Sequence, residues 1–134
     1  MKMNPVVHFE MPAKDTKRMS DFYSNVFGWE TETMGPDMSN YVVVKTTESD
    51  EKTGFPKNPG AINGGFYQKD SKKTEESPSF VIAVDDIKEH MKKITEAGGK
   101  ILNGPDDIPG VGVYASFQDT EGNRVSILQA YSQM

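Results

Sequence analysis

Residues 5–29 read PVVHFEMPAKDTKRMSDFYSNVFGW, and residues 78–100 read PSFVIAVDDIKEHMKKITEAGGK. Each stretch opens on a short apolar run, passes an aspartate and continues as a helical pattern that stops at glycine. His8 lies seven residues before Asp15, and Ser79 lies seven before Asp86. Asp15 lies thirteen before Gly28, and Asp86 thirteen before Gly99. A single offset of 71 relates the three pairs. The chain therefore reads as two copies of a βα unit.

In the first copy, Val6–Met11 has the composition of a half-buried strand. Alternation puts Val6, His8 and Glu10 on one face and Val7, Phe9 and Met11 on the other. The wholly apolar second set should pack against the helix, which leaves His8 and Glu10 on the opposite side of the sheet. Asp15 or Thr16 suits a helix N-cap, because its side-chain oxygen can accept an otherwise unpaired backbone N–H. The helix is expected over Thr16–Phe27, with Met19, Phe22, Tyr23, Val26 and Phe27 as its apolar stripe. Gly28 suits the left-handed position that ends a helix.

Further strands are expected at Trp29–Met34, Tyr41–Thr46 and Ala61–Gln68, the last containing the pair Gly64-Gly65. A glycine pair in a strand marks a bulge or a close approach. Residues 47–60 form a long polar loop, and such loops are often lids or disordered segments. Lys69–Ser77 is a charged linker. The second copy follows the same order. Its strand is Ser79–Val84 and its helix Asp86–Ala97, with Ile87, Met91, Ile94 and Ala97 inward. A short strand at Lys100–Asn103, a loop at Gly104–Gly110, a strand at Gly112–Gln118, a turn at Asp119–Asn123 and a strand at Arg124–Ala130 complete it. Each half is βαβββ. The fold class is α+β, one domain over 1–134 built of module one at 1–68, linker 69–77 and module two at 78–134.

Composition narrows the function. With 134 residues the chain can bury a real core. It has no cysteine, which removes disulfides, thiolate metal sites and cysteine nucleophiles and fits a cytoplasmic setting. No apolar run approaches a membrane span. The net charge is −5 and the lysines are scattered among acids, so no nucleic-acid partner is expected.

The ordered set VVHFEMPAKDTKRMSDFYSNVFGW, VIAVDDIKEHMKKITEAGGK, IPGVGVYASFQDTEGN and RVSILQ resembles the vicinal oxygen chelate superfamily, which includes glyoxalase I, bleomycin-resistance proteins and extradiol dioxygenases. The resemblance covers nearly all of the chain outside residues 47–60. It implies paired βαβββ modules, each sheet curled into a cup that binds a ligand on its concave face, and often a dimer. It also implies one metal ligand on the first and last strand of each module. Those positions here are His8, about Gly64, Ser79 and Ser126, so one of four keeps a strong donor. Neither metal nor other cofactor is expected, and glyoxalase I or dioxygenase chemistry is disfavoured.

Three functions follow as expectations. One is a small organic ligand held in a metal-free cup, with the protein a homodimer. Another is a lyase or isomerase acting on a small carbonyl or hydroxy compound, with His8 and Glu10 moving protons. The third is drug sequestration. His8 is otherwise a hydrogen-bonded remnant of a ligand position, and Glu10 otherwise a solvated rim residue. Tyr41, Asn63, Phe66 and Tyr114 are candidate walls of the cup, with Ser79 and Ser126 as small polar liners.

Overall fold

The computed structural model describes residues 2–70, 72 and 76–131. Its elements are β1 (Val6–Ala13), α1 (Thr16–Phe27), β2 (Glu30–Thr33), β3 (Val42–Lys45), β4 (Asn63–Gln68), β5 (Ser79–Ala83), α2 (Ile87–Glu96), β6 (Lys100–Ile108), β7 (Gly112–Gln118) and β8 (Arg124–Ala130). A single 3₁₀ turn, Pro36–Met38, lies between β2 and β3. The order is βαβββ twice, the α+β plan expected from the repeat. The chain groups into a first unit, His8–Pro78, and a second unit, Met1–Val7 with Ser79–Met134. Of the linker expected over 69–77, residues 71 and 73–75 lie outside the described residues.

In the first unit the strands run β2-β3-β4-β1, with β1 and β4 parallel and the other pairs antiparallel. The parallel pair is bridged by α1, β2 and β3, the long crossover such a pair requires. Val42, Val44 and Phe66 are buried at the centre, packed by Phe9, Met11, Met19, Tyr23 and Trp29. The β1 alternation thus points Phe9 and Met11 toward the helix as expected. The Tyr23 ring stacks on Trp29 at 4.8 Å and meets Phe66 at 5.5 Å. Removing an aromatic ring from such a centre costs about 3–5 kcal/mol.

The helix departs from expectation on its outer side. Met19 and Tyr23 face the core, whereas Phe22, Val26 and Phe27 are 54%, 56% and 61% exposed. Successive helical residues turn by about 100°, so five apolar positions spread over a wider arc than one sheet can cover.

In the second unit the order is β5-β8-β7-β6, with β5 and β8 parallel. Val84, Ile87, Ala115 and Ile127 form its centre, with Ile82, Met91, Ile94, Val113 and Phe117 around them. Ala97, expected inward, lies beyond the end of α2 and is exposed. The loop expected at Gly104–Gly110 is largely strand: β6 continues to Ile108 against β7, with register shifts on either side of Asn103. The shifts absorb Gly104, whose φ is 102°, and Pro105. An edge strand can carry a proline and a bulge because half its backbone groups have no ladder to complete. The opening residues, read as the start of module one, pair within this unit. The Ala83 N–H donates to the Pro5 carbonyl at 2.9 Å, and Lys2 meets Asp85 at 2.6 Å.

Both helices start on the expected aspartates. Asp15 accepts the Arg18 N–H at 3.0 Å and Asp86 accepts the Glu89 N–H at 3.2 Å. Gly28 ends α1 with φ 72°. At the β7–β8 turn Asp119 accepts the Glu121 and Asn123 N–H groups and the Asn123 amide. Those donors, Asn123 foremost, hold its carboxyl below the usual range. Among the described residues no helix is long and apolar enough to cross a membrane. Asp15→Ala and Asp86→Ala should each lower stability by about 1 kcal/mol without altering the fold, read as a shifted denaturant midpoint at unchanged slope.

Candidate functional site

On the face of the first unit turned away from α1, residues of β1 and β4 lie side by side. The parallel register pairs His8 with Asn63, Phe9 with Gly64, Glu10 with Gly65 and Met11 with Phe66. Alternation then sets His8, Glu10, Asn63 and Gly65 on one face, and Phe9, Met11, Gly64 and Phe66 on the helix side. Phe66 is fully buried in the helix-side core, so its ring belongs to the packing and not to this face.

The two glycines answer two side chains on opposite faces. A Cβ at Gly64 would run into the Phe9 ring, and one at Gly65 would run into the phenol of Tyr41. The Tyr41 hydroxyl therefore lies over bare backbone at Gly65. From there it sits 3.4 Å from His8 Nε2, a long contact in which either atom can donate. Burial lowers the His8 pKa from 6.5 to about 4, so the ring is neutral near pH 7. Glu10 is 8% exposed, which replaces the solvated-rim reading with a buried carboxyl on the same face as a half-buried imidazole.

Asn63 is used differently from a ligand anchor. Its carbonyl oxygen accepts the Thr46 N–H at 2.9 Å, while its amide donates to Ser49 Oγ at 2.8 Å and to the Gly54 carbonyl at 3.2 Å. These bonds strap the loop over residues 47–60 to the strand next to His8. The loop is further closed by the Ser49–Pro56 bridge and by Asp50, whose carboxylate accepts the Lys52 and Thr53 N–H groups.

The second unit has a counterpart face. Val81 pairs with Ser126 as Glu10 pairs with Gly65, so the first-module equivalent of Ser126 is Gly65 and not Gly64. Tyr114 and Ser126 hydroxyls lie 2.6 Å apart, with Ser126 fully buried. Thus a tyrosine hydroxyl reaches the same last-strand position in both units, over glycine in one and onto serine in the other. Ser79 Oγ is buried without a hydrogen-bond partner among the described residues. Within the first unit the structure brings His8, Glu10 and Tyr41 to one sheet face, and within the second it brings the Tyr114 and Ser126 hydroxyls together.

Sequence reading took Gly65 only as half of a pair marking a bulge or close approach, and passed over Ser116 and Arg124 as site residues. Ser116 is fully buried and accepts the Asn103 amide at 3.3 Å. Alternation along β7 and β8 places Ser116 and Arg124 on the Tyr114–Ser126 face, and that was the available signal. A surface cleft of about 590 Å³ lies elsewhere in the first unit, between Thr16, Lys17 and Ser20 of α1 and Thr31 and Thr33 of β2. None of the site residues expected from the sequence lines it.

The four positions that the resemblance assigns to a metal do not fit a divalent ion. His8 supplies an imidazole, Gly65 supplies nothing, and its side-chain space is filled by Tyr41. Ser79 and Ser126 offer hydroxyls, which are poor ligands at neutral pH. Among the described residues, no three histidine, aspartate or glutamate side chains converge as a metal site needs.

Two outcomes test this geometry. Gly65→Ala should cost about 1–3 kcal/mol by overpacking, and Tyr41→Ala should remove most of that added cost in a double-mutant cycle. His8 carries the pH dependence. Its folded pKa of about 4 lies below its reference value of 6.5, so the unfolded chain takes up the proton first. The stabilisation is intact above the reference value and is lost as pH falls toward the folded value. Relative to His8→Gln, the natural chain should lose up to about 1.4 kcal/mol per pH unit across that window in denaturation curves.

Comparison with known proteins agrees with this architecture. Residues 6–127 match the family model described as the glyoxalase/bleomycin resistance protein/dioxygenase superfamily. A glyoxylase-like domain-containing protein of Didymella fabae is 31% identical over 121 residues, 88% of each chain. A Streptomyces coelicolor methylmalonyl-CoA epimerase variant, solved with 2-nitronate-propionyl-CoA, superposes with a TM-score of 0.68 at 13% identity, over 98% of this chain and all of that one. A Vibrio splendidus 12B01 member of the superfamily gives 0.58 at 16% identity, over 93% and 97% of the two chains. At such identities the structural likeness concerns the fold, while the sequence matches carry descent: the chain belongs to the glyoxalase/bleomycin resistance protein/dioxygenase superfamily.

Proposed function

We propose that this chain binds a small organic ligand against the sheet face that carries His8, Glu10 and Tyr41, without a resident metal ion. The observation that carries the reading is the Tyr41 hydroxyl, laid over Gly65 and 3.4 Å from a histidine that burial keeps neutral. A phenol and a neutral imidazole together offer a donor and an acceptor inside a desolvated surface. That pair suits a carbonyl or hydroxyl group, whose hydrogen bonds count for more away from water. The lack of cysteine supports a cytoplasmic setting, and we read the protein as a homodimer there.

A second reading is favoured by Glu10. In this reading the Glu10 carboxylate, on the same face as His8, takes a proton from the carbon beside a ligand carbonyl, while the Tyr41 O–H donates to the developing enolate oxygen. Protonation of that carbon on its opposite face by a proton from solvent inverts the centre and completes an isomerisation, and Glu10 then gives up its proton to solvent. The likeness to a methylmalonyl-CoA epimerase supports chemistry of this kind without fixing the substrate.

The test is a thermal-shift and calorimetric series with short 2-oxo and 2-hydroxy acids, run beside Ni²⁺, Zn²⁺, Mn²⁺ and Fe²⁺. Organic ligands should raise the melting point and the metals should not. Tyr41→Phe should weaken binding about tenfold, the scale of one hydrogen bond. Stoichiometric metal in the purified protein, with a melting shift lost in His8→Ala, would overturn the metal-free reading. If the second reading holds, the bound ligand exchanges its α-hydrogen in D₂O, and Glu10→Gln stops the exchange while leaving binding in place.

A further inference from the structure

The outer side of α1 carries more apolar surface than its own unit uses. Phe22 and Val26 are one turn apart and therefore neighbours on one line of the helix, with Arg18 a turn earlier on the same line. Phe22 and Val26 are 54% and 56% exposed, and Phe27 in the last turn is 61% exposed. Lone exposed apolar residues are ordinary, whereas a line of them beside a charged end marks an interaction surface.

Asp15 caps this helix, but the charges behind the cap run against its dipole. The first turn holds no acid and instead carries Lys17 and Arg18, and the last turn holds no base. Cations are favoured at the C-terminal end of a helix and disfavoured at the N-terminal end. Lys17 is already engaged with Asp21 at 3.0 Å, while Arg18 has no ion pair among the described residues. The helix α2 shows no such conflict, with Glu89 in its first turn and Lys93 in its last.

We infer that a second copy of this chain docks on the outer side of α1, the two helices antiparallel about a two-fold axis near Phe22. In that arrangement Phe22 faces its own copy. Arg18 of each chain lies beside Val26 and the C-terminal carbonyls of the other helix. One movement covers the apolar line and places a cation at each C-terminal end, where the helix has no base of its own. A parallel pairing would set the two arginines together, so the charges choose the antiparallel one. The inference deepens the homodimer reading above and rests on it.

The absence of cysteine gives a clean test. Sedimentation across a concentration series should show a dimer that weakens as salt rises. Val26→Glu should weaken it at least tenfold with unchanged circular dichroism, since that side chain is more exposed than buried. Mild oxidation should convert most of Phe22→Cys to a disulfide-linked dimer, whereas Glu89→Cys on α2 should stay monomeric on a non-reducing gel. A natural chain that stays monomeric at several hundred micromolar overturns both the homodimer and this face. A dimer untouched by Val26→Glu, or Glu89→Cys linking as readily as Phe22→Cys, overturns this face alone and leaves the homodimer standing.

Discussion

Glycine at position 65 leaves the backbone of β4 bare on one side, and the phenol of Tyr41 lies down in that space. Its hydroxyl comes to the imidazole of His8 because no Cβ stands between the strand and the ring. The neighbouring glycine does the opposite service, admitting Phe9 on the helix side. One dipeptide thus sets the spacing of both faces of the sheet. Behind it lies the Phe66–Tyr23–Trp29 packing, and in front of it a polar cluster short of water. Any side chain larger than hydrogen at 65 pushes on Tyr41, and through Tyr41 on the environment that keeps His8 uncharged.

The two halves show how a duplicated plan diverges at its chemically important positions while its framework holds. The capping aspartates, the parallel first-to-last strand pairing and the helix-side cores correspond. The polar faces do not. Where the first unit pairs a histidine and a carboxylate with a bare strand, the second presents hydroxyls from Tyr114, Ser116 and Ser126. Backbone hydrogen bonds and burial tolerate little change, because each lost partner in the core costs on the order of a whole interaction. Side chains of the polar faces bond to one another, as Tyr114 does with the buried Ser126, so a pair can change together without breaking the ladder.

Much of the framework was legible from residues alone. A fixed offset between His8, Asp15 and Gly28 and their counterparts located both strands and both helices, since periodicity and capping are local properties. The division of β1 into an apolar and a polar face was readable for the same reason. The rest depended on distant neighbours. Asn63 has the chemistry of a ligand anchor, yet its amide is consumed by Ser49 and Gly54. Phe66 falls on the helix face because the parallel register sets it beside Met11, and register is a tertiary fact. The reach of β6 past Gly104 was hidden by turn-forming residues that a bulged edge strand can absorb. Phe22 and Val26 carry a helical stripe that the sheet beneath is too narrow to cover.

The grouping of residues 2–7 with the second unit has a consequence for the order of synthesis. These residues are translated before His8–Pro78, but the backbone they bond, at Ala83, is translated only after the whole of that unit. The segment is made well before the backbone that it pairs with. The intervening unit can complete its own sheet while the segment waits unpaired, and a nascent chain halted near Pro78 would display residues 2–7 without their partners. Exposed strand edges of this kind are where growing chains meet one another or a chaperone. The segment's sequence, Lys-Met-Asn-Pro before Val6, brings a charge and a proline to that edge, two features that discourage pairing with the wrong strand.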